Sequence, residues 1–423
     1  MWFVVLVEFA PTLRLQWQAV RRRLFRCAAP VFTFVTIAGC GRIGFDDLSG
    51  RASNGDDAGD SATSGDGQAS QPSGDAKTSA PLEHATYNAG TEPDGVVIAD
   101  FNNDGLLDIA VSNYGSSNLT ILLADGTGAF SDANVMSGAN PMSLTARDLD
   151  GDGNIDLAVA IAGNNTIAVM FGDGKGGFAT RAAGVATATE PDAIAFGDFN
   201  GDGLVDVVTA DYTANKVTVA LGAAGGELAS PTSVAACGEP SGVAVGRLDA
   251  DAFDDIAVSC YTGNEVFVMF GDGTGGFATN TTISMGSGSM PNAVALADFN
   301  GDGHLDVAEA GFGNGKCGVA LGNGNGGFAA AQSYTVGASP LALAIGEVDH
   351  DGKLDIVLAD YVSATTIDIL HGDGTGGFAA MKTVTVGMEP DGVALADLDG
   401  DGILDIVVAN SESNNITVIP GPN

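Results

Sequence analysis

The sequence predicts an all-β fold, a seven-bladed β-propeller of four-stranded antiparallel blades whose ring is closed by an N-terminal strand. Three observations predict it. A nine-residue acidic pattern occurs seven times at intervals of 48 to 51 residues. Each interval holds four short alternating apolar segments separated by turn residues. The last interval is one segment short, and an unmatched strand-like segment precedes the first. A repeat this regular marks one supersecondary unit that cannot bury its faces alone and must stack on its neighbours. With 62 glycines, 14 prolines and 45% hydrophobic residues in 423, the chain reads as a turn-rich folded protein rather than an acidic disordered one.

The pattern reads DFNNDGLLD from Asp100, DLDGDGNID from Asp148, DFNGDGLVD from Asp198 and RLDADAFDD from Arg247. It continues as DFNGDGHLD from Asp298, EVDHDGKLD from Glu347 and DLDGDGILD from Asp397. An apolar segment such as 292–297 precedes each acidic loop, and one such as 354–359 follows it. A polar turn leads to a third, such as 216–221, and a glycine turn such as 372–377 to a fourth, such as 381–386. These are four hairpin-connected strands. The first is rich in Ala and Gly, which suits an innermost strand covered on both faces near a crowded axis. After Asp405 the chain has room only for strands two and three of the last blade, ending at Ile416 to Ile419. Residues 82–90 precede Thr91-Glu92-Pro93 much as 381–387 precede Met388-Glu389-Pro390, so they are expected to supply the missing strand. That interlock removes two exposed sheet edges.

Side-chain oxygens recur at loop positions one, three, five and nine, and position six is usually glycine. Oxygen donors around a bend that only glycine makes cheaply are the means of holding a hard cation, and many carboxylates with flexible geometry favour calcium over magnesium. The expected ligands are Asp100, Asn102, Asp104 and Asp108; Asp148, Asp150, Asp152 and Asp156; and Asp198, Asn200, Asp202 and Asp206. In the later loops they are Asp249, Asp251 and Asp255; Asp298, Asn300, Asp302 and Asp306; Glu347, Asp349, Asp351 and Asp355; and Asp397, Asp399, Asp401 and Asp405. Position seven, which is Leu106, Asn154, Leu204, His304, Lys353 or Ile403, would offer its backbone carbonyl. Position twelve from Asp100 is Val111, within a strand, so the loop is no EF-hand. A bare hairpin turn would gain nothing from several carboxylates pressed together. In the fourth loop Arg247 replaces the first ligand and Ala252 the glycine, so about six calcium sites are expected, the fourth being poor or filled by the guanidinium.

The seven loops and their blades resemble the FG-GAP or VCBS repeat family, the propeller class shared with the integrin α-subunit head. The resemblance covers about 340 residues. No literal Phe-Gly-Gly-Ala-Pro occurs; Phe-Gly-Asp-Gly at 171–174 and 270–273 is the nearest relic.

Residues 1–39 read as a signal peptide of lipoprotein type. Arg21 to Arg23 and Arg26 precede an apolar run from Cys27 to Gly39, too short to span a bilayer. Ile37-Ala38-Gly39-Cys40 resembles the lipobox of bacterial lipoproteins, which implies diacylglycerol on Cys40 and a bacterial envelope location, at the outer membrane or cell surface. Arg22-Arg23-Leu24-Phe25 partly matches a twin-arginine signal. Residues 1–19 include Glu8 and fit no targeting pattern, so translation is expected to start near residue 20. Residues 40–80, mostly Gly, Ser, Asp and Ala, read as a flexible tether with a span on the order of 35 Å, and 81–423 as the propeller.

The formal net charge of −37 falls wholly in residues 81–423 and argues against a nucleic-acid partner. On the rim opposite the acidic loops, Tyr114, Tyr212, Tyr261, Phe312 and Tyr361 fall at the turns between strands two and three. They either form a ligand face for a sugar or protein, or pack over the blade edges. Cys237 and Cys260 are placed to pair, Cys317 is left over, and His84, His304, His350 and His371 are scattered and suggest no triad or zinc cluster, with solvated or loop roles expected. The expected function is a monomeric, non-catalytic binding or adhesion module with calcium as structural cofactor. The alternative is a polysaccharide lyase or glycoside hydrolase, against which the even spacing leaves no insertion for a catalytic cap and no acid and base pair outside the acidic loops.

Overall fold

The computed structural model describes residues 82–180, 184–362, 364–379 and 381–422. The leader, Cys40 and tether expected from the sequence lie outside the described residues. Seven four-stranded antiparallel blades form the ring. Blade one comprises Pro93–Ala99, Asp108–Asn113, Asn118–Ala124 and Phe130–Met136. Blades two to six open on Pro141–Arg147, Pro191–Gly197, Pro240–Gly246, Pro291–Ala297 and Pro340–Gly346 and repeat that order. Blade seven comprises Pro390–Ala396, Asp405–Asn410 and Asn415–Ile419, and its outer strand is Ala85–Asn88 from the other end of the domain. Ala85 lies opposite Val418 and Asn88 opposite Asn415, the ring closure expected from the sequence.

The inner strands carry small side chains because neighbouring blades press on both faces. Ala193, Ala195, Ala293, Ala295, Ala342 and Ala344 are all buried. Between blades the core is larger. The position-two residue of each acidic loop turns inward, and Phe101, Phe199 and Phe299 meet Phe178, Phe277 and Phe378 of the following blade edge-on at 5.3 to 5.5 Å. Edge-to-face stacking adds to the area they bury.

Each inner strand starts on a proline preceded by a residue in the left-handed region: Glu92, Asn140, Glu190, Glu239, Met290, Ser339 and Glu389, with φ between 49° and 62°. That conformation is uncommon for residues with a β-carbon, and it recurs at every blade junction. A bulge follows each proline. At four junctions the strained residue donates its N–H to an asparagine Oδ1 of the blade before: Glu190 to Asn165, Glu239 to Asn215, Met290 to Asn264 and, across the ring closure, Glu92 to Asn414.

Candidate metal centres

The acidic loops share one hydrogen-bond scheme that aims their carboxylates inward. In loops one, two, three, five and seven the first Asp accepts the amide of position six, as Asp198 Oδ2 does from Gly203 at 3.0 Å. In all seven loops the position-five carboxylate accepts the amide of position seven at 2.8 to 3.0 Å. The position-six glycines need their residue type for backbone reasons, with φ between 78° and 89°. A β-carbon at Gly203 or Gly303 would meet nothing within 4 Å, so crowding is not the cause.

The ninth position does more than the sequence reading assigned to it. In every blade its two oxygens accept two backbone amides, one from loop position two and one from the end of strand three. Asp108 takes them from Phe101 and Ala124, Asp206 from Phe199 and Gly222, and Asp405 from Leu398 and Gly421, at 2.6 to 2.9 Å. This clamp fixes the loop to the blade. It also explains a glycine: a β-carbon at Gly172, Gly222, Gly271, Gly322 or Gly372 would lie 2.1 to 2.4 Å from the position-eight carbonyl oxygen. Burial pushes the Asp108 carboxyl up to about 7 and those of Asp206, Asp255, Asp306 and Asp405 up to about 6. The clamping amides oppose the rise and the other loop carboxylates add to it.

Donor atoms within 4.8 Å of one another come from Asp148, Asp150 and Asp152 in loop two, and Asp249, Asp251 and Asp255 in loop four. Loop six brings together Glu347, Asp349 and Asp351, and loop seven Asp397, Asp399 and Asp405. Loops one, three and five have Asn at position three, and its amide nitrogen reaches the position-five carboxylate: Asn102 to Asp104, Asn200 to Asp202 and Asn300 to Asp302, at 2.9 to 3.3 Å. These donor sets, all hard oxygen, fit calcium. In loop four Arg247 Nε lies 3.8 Å from Asp254 Oδ1. Asp254 stands at position eight, where the other loops have Leu, Ile or Val, and its Oδ2 accepts the amide of Asp198 in loop three. The guanidinium therefore has a carboxylate partner outside the ligand positions.

The aromatic face needs correction. Tyr212 and Tyr261 are 2% and 3% exposed, and the rings of Tyr212, Tyr261 and Phe312 run in a row across blades three to five at 6.3 and 5.9 Å. Burial and the Glu239 carboxylate raise the Tyr212 phenol far above its ordinary value. These two rings pack over the blade edges, because stacking on the next blade removes more apolar surface than pointing outward. Tyr114, Phe312 and Tyr361 are half-buried. Cys237 and Cys260 form a disulfide with Cα atoms 5.7 Å apart, and Cys317 is buried. Among the described residues no helix is long and apolar enough to cross a membrane.

The description "FG-GAP-like repeat" matches residues 100–159, 148–209, 198–258, 247–309 and 347–408, more than half of the chain, and each match starts on the first residue of an acidic loop. The chain belongs to the FG-GAP-like repeat family. No curated protein matches the sequence. Among solved structures, this FG-GAP-like chain is similar to virginiamycin B lyase from Staphylococcus aureus at 13% identity, over 80% of this chain and 99% of that one, with a TM-score of 0.56. A BBS1N structure in complex with ARL6DN is similar at 14% identity, over 82% and 98%, with a TM-score of 0.57. A Lactobacillus plantarum protein is similar at 14%, over 77% and 91%, with a TM-score of 0.53. Likeness at this identity establishes the shared propeller fold and nothing of activity.

Proposed function

We propose that this FG-GAP-like propeller is a calcium-stabilised, non-catalytic binding or adhesion module, displayed on the bacterial envelope by a lipid on Cys40. The observation that carries the reading is the repeated gathering of hard oxygen donors on one rim, three carboxylates at a time within 4.8 Å. Like charges that close repel unless a cation lies among them. Calcium would be held by positions one, three, five and nine with the position-seven carbonyl, and would supply neutralisation and rigidity. The opposite rim stays available for a carbohydrate or protein ligand, with Tyr114, Phe312 and Tyr361 as the half-buried aromatics there. The lyase among the structural neighbours supports a shared fold only. A glycan array and a pull-down with the calcium-loaded protein test the reading. Calcium-dependent capture of a ligand left chemically intact is expected. New reducing ends or unsaturated sugars from a polysaccharide panel would replace it with a lyase or hydrolase.

A further inference from the structure

Loop six differs from the others in one neighbour. At the end of strand three stands Leu123, Phe171, Leu221, Phe270 or Leu321 in blades one to five, and His371 in blade six. The five apolar side chains seat on a glycine in the next blade's turn between strands three and four. A β-carbon at Gly176, Gly226, Gly275, Gly326 or Gly376 would lie 2.6 to 3.0 Å from them. Blade seven takes its outer strand from the N-terminal side, so no such turn joins its third and fourth strands. The apolar requirement at position 371 lapses there, and the chain has placed an imidazole beside the acidic loop.

That imidazole faces two loop carboxylates. Its Nδ1 lies 2.9 Å from Asp349 Oδ2 and 3.6 Å from Asp355 Oδ1, with the side chain 24% exposed. Nδ1 itself is buried, and despite the short approach it makes no aligned hydrogen bond. Ligands held about 2.0–2.1 Å from zinc at tetrahedral angles stand roughly 3.3 Å apart, which the two distances bracket. The carboxylates are oriented from behind: Asp355 by the amides of Val348 and Gly372, Asp349 Oδ1 by that of Asp351. Such outer contacts fix ligands for a metal. Meanwhile Lys353 Nζ lies 2.8 Å from Asp351 Oδ2, which lowers the negative charge offered to a hard cation.

We infer that Asp349, Asp355 and His371 form a mixed nitrogen and oxygen site for a divalent d-block cation of the zinc class, distinct in metal preference from the all-oxygen loops. Imidazole favours zinc, cobalt and nickel, whereas calcium takes oxygen donors. The inference goes beyond the adhesion reading and does not depend on it.

Cobalt(II) is the probe, added to the whole protein in excess calcium. One equivalent is expected to bind with a tetrahedral-type visible band, to be displaced by zinc, and to shift one histidine ring nitrogen in the nitrogen-15 spectrum. His371→Leu, the residue of blades one, three and five, should abolish the band and weaken cobalt binding at least about tenfold, leaving calcium binding at the other loops unchanged. His371→Gln keeps a polar side chain of similar reach and should give the same result should the leucine variant fold poorly. Complete displacement of cobalt by calcium in the unaltered protein, or an unchanged band in either variant, would overturn the inference, leaving His371 an ion-pair partner of Asp349.

Discussion

The two rims of the ring are stitched by different chemistry. On the acidic rim each loop is clamped by a buried carboxylate that takes two backbone amides, and at loops one, three, four and five the blade beyond donates a turn amide to the position-two carbonyl: Gly176 to Phe101, Gly275 to Phe199, Gly326 to Leu248 and Gly376 to Phe299. On the opposite rim the junctions use a neutral asparagine amide and a left-handed residue before proline. Both arrangements tie neighbouring blades together. Only the first gathers carboxylates within reach of one cation, so only the first should respond to metal. Both should respond to pH, since burial pushes the Asp211 and Asp360 carboxyls at the far end of strand two up to about 6 and about 7.

Metal removal separates the rims most sharply. With free calcium tenfold above each dissociation constant, linkage gives about 1.4 kcal/mol per site and roughly 8 kcal/mol for six, against a whole-domain margin of about 5–15 kcal/mol. Exhaustive EGTA treatment is expected to lower the melting temperature steeply in calorimetry; an unaltered melt would end the structural role of calcium. The pH response follows. Buried ninth-position aspartates with raised values favour the metal-free fold fully below their unfolded value, and that contribution is lost as pH rises through about 6 to 7. Metal-free protein should therefore lose stability from pH 4 toward 7, and calcium should reverse the slope.

A single clamp comes next. Asp206→Ala leaves two amides without their acceptor, each worth about 1–3 kcal/mol when buried, so chemical denaturation should show a loss of roughly 2–6 kcal/mol even with calcium removed. A loss present in calcium but absent in EGTA would make Asp206 a ligand only. The smallest effect belongs to the opposite rim. Asn215→Gly keeps the left-handed turn and removes only the acceptor of the Glu239 amide, which water can reach, so about 0.5–1 kcal/mol is expected, independent of calcium and pH.

The fold was legible because its signals are periodic. Seven acidic loops in register gave the blade count, and the likeness of 82–90 to 381–387 gave the closing strand. Single-residue roles were less legible. The ninth aspartate reads as a ligand because its spacing suits one, whereas its clamp appears only when strand three lies beside the loop. His371 falls sixteen residues after Asp355, and its meaning depends on a glycine turn that the last blade lacks. Spacing put Tyr212 and Tyr261 on the correct rim without saying which way the rings tip. The left-handed residue at each junction had a visible signal in the seven regularly placed X-Pro pairs, but proline disfavours only the right-handed helical region before it and does not select the left-handed one.

The closing strand makes the order of synthesis matter. Ala85–Asn88 leaves the ribosome first, yet its partner Asn415–Ile419 follows more than three hundred residues later. At about 5–20 residues per second that is a delay of roughly 15 to 65 s. Until then six blades can form while the earliest strand of the ring waits for its partner, so the nascent ring stays open at one seam until Asn415–Ile419 has been made.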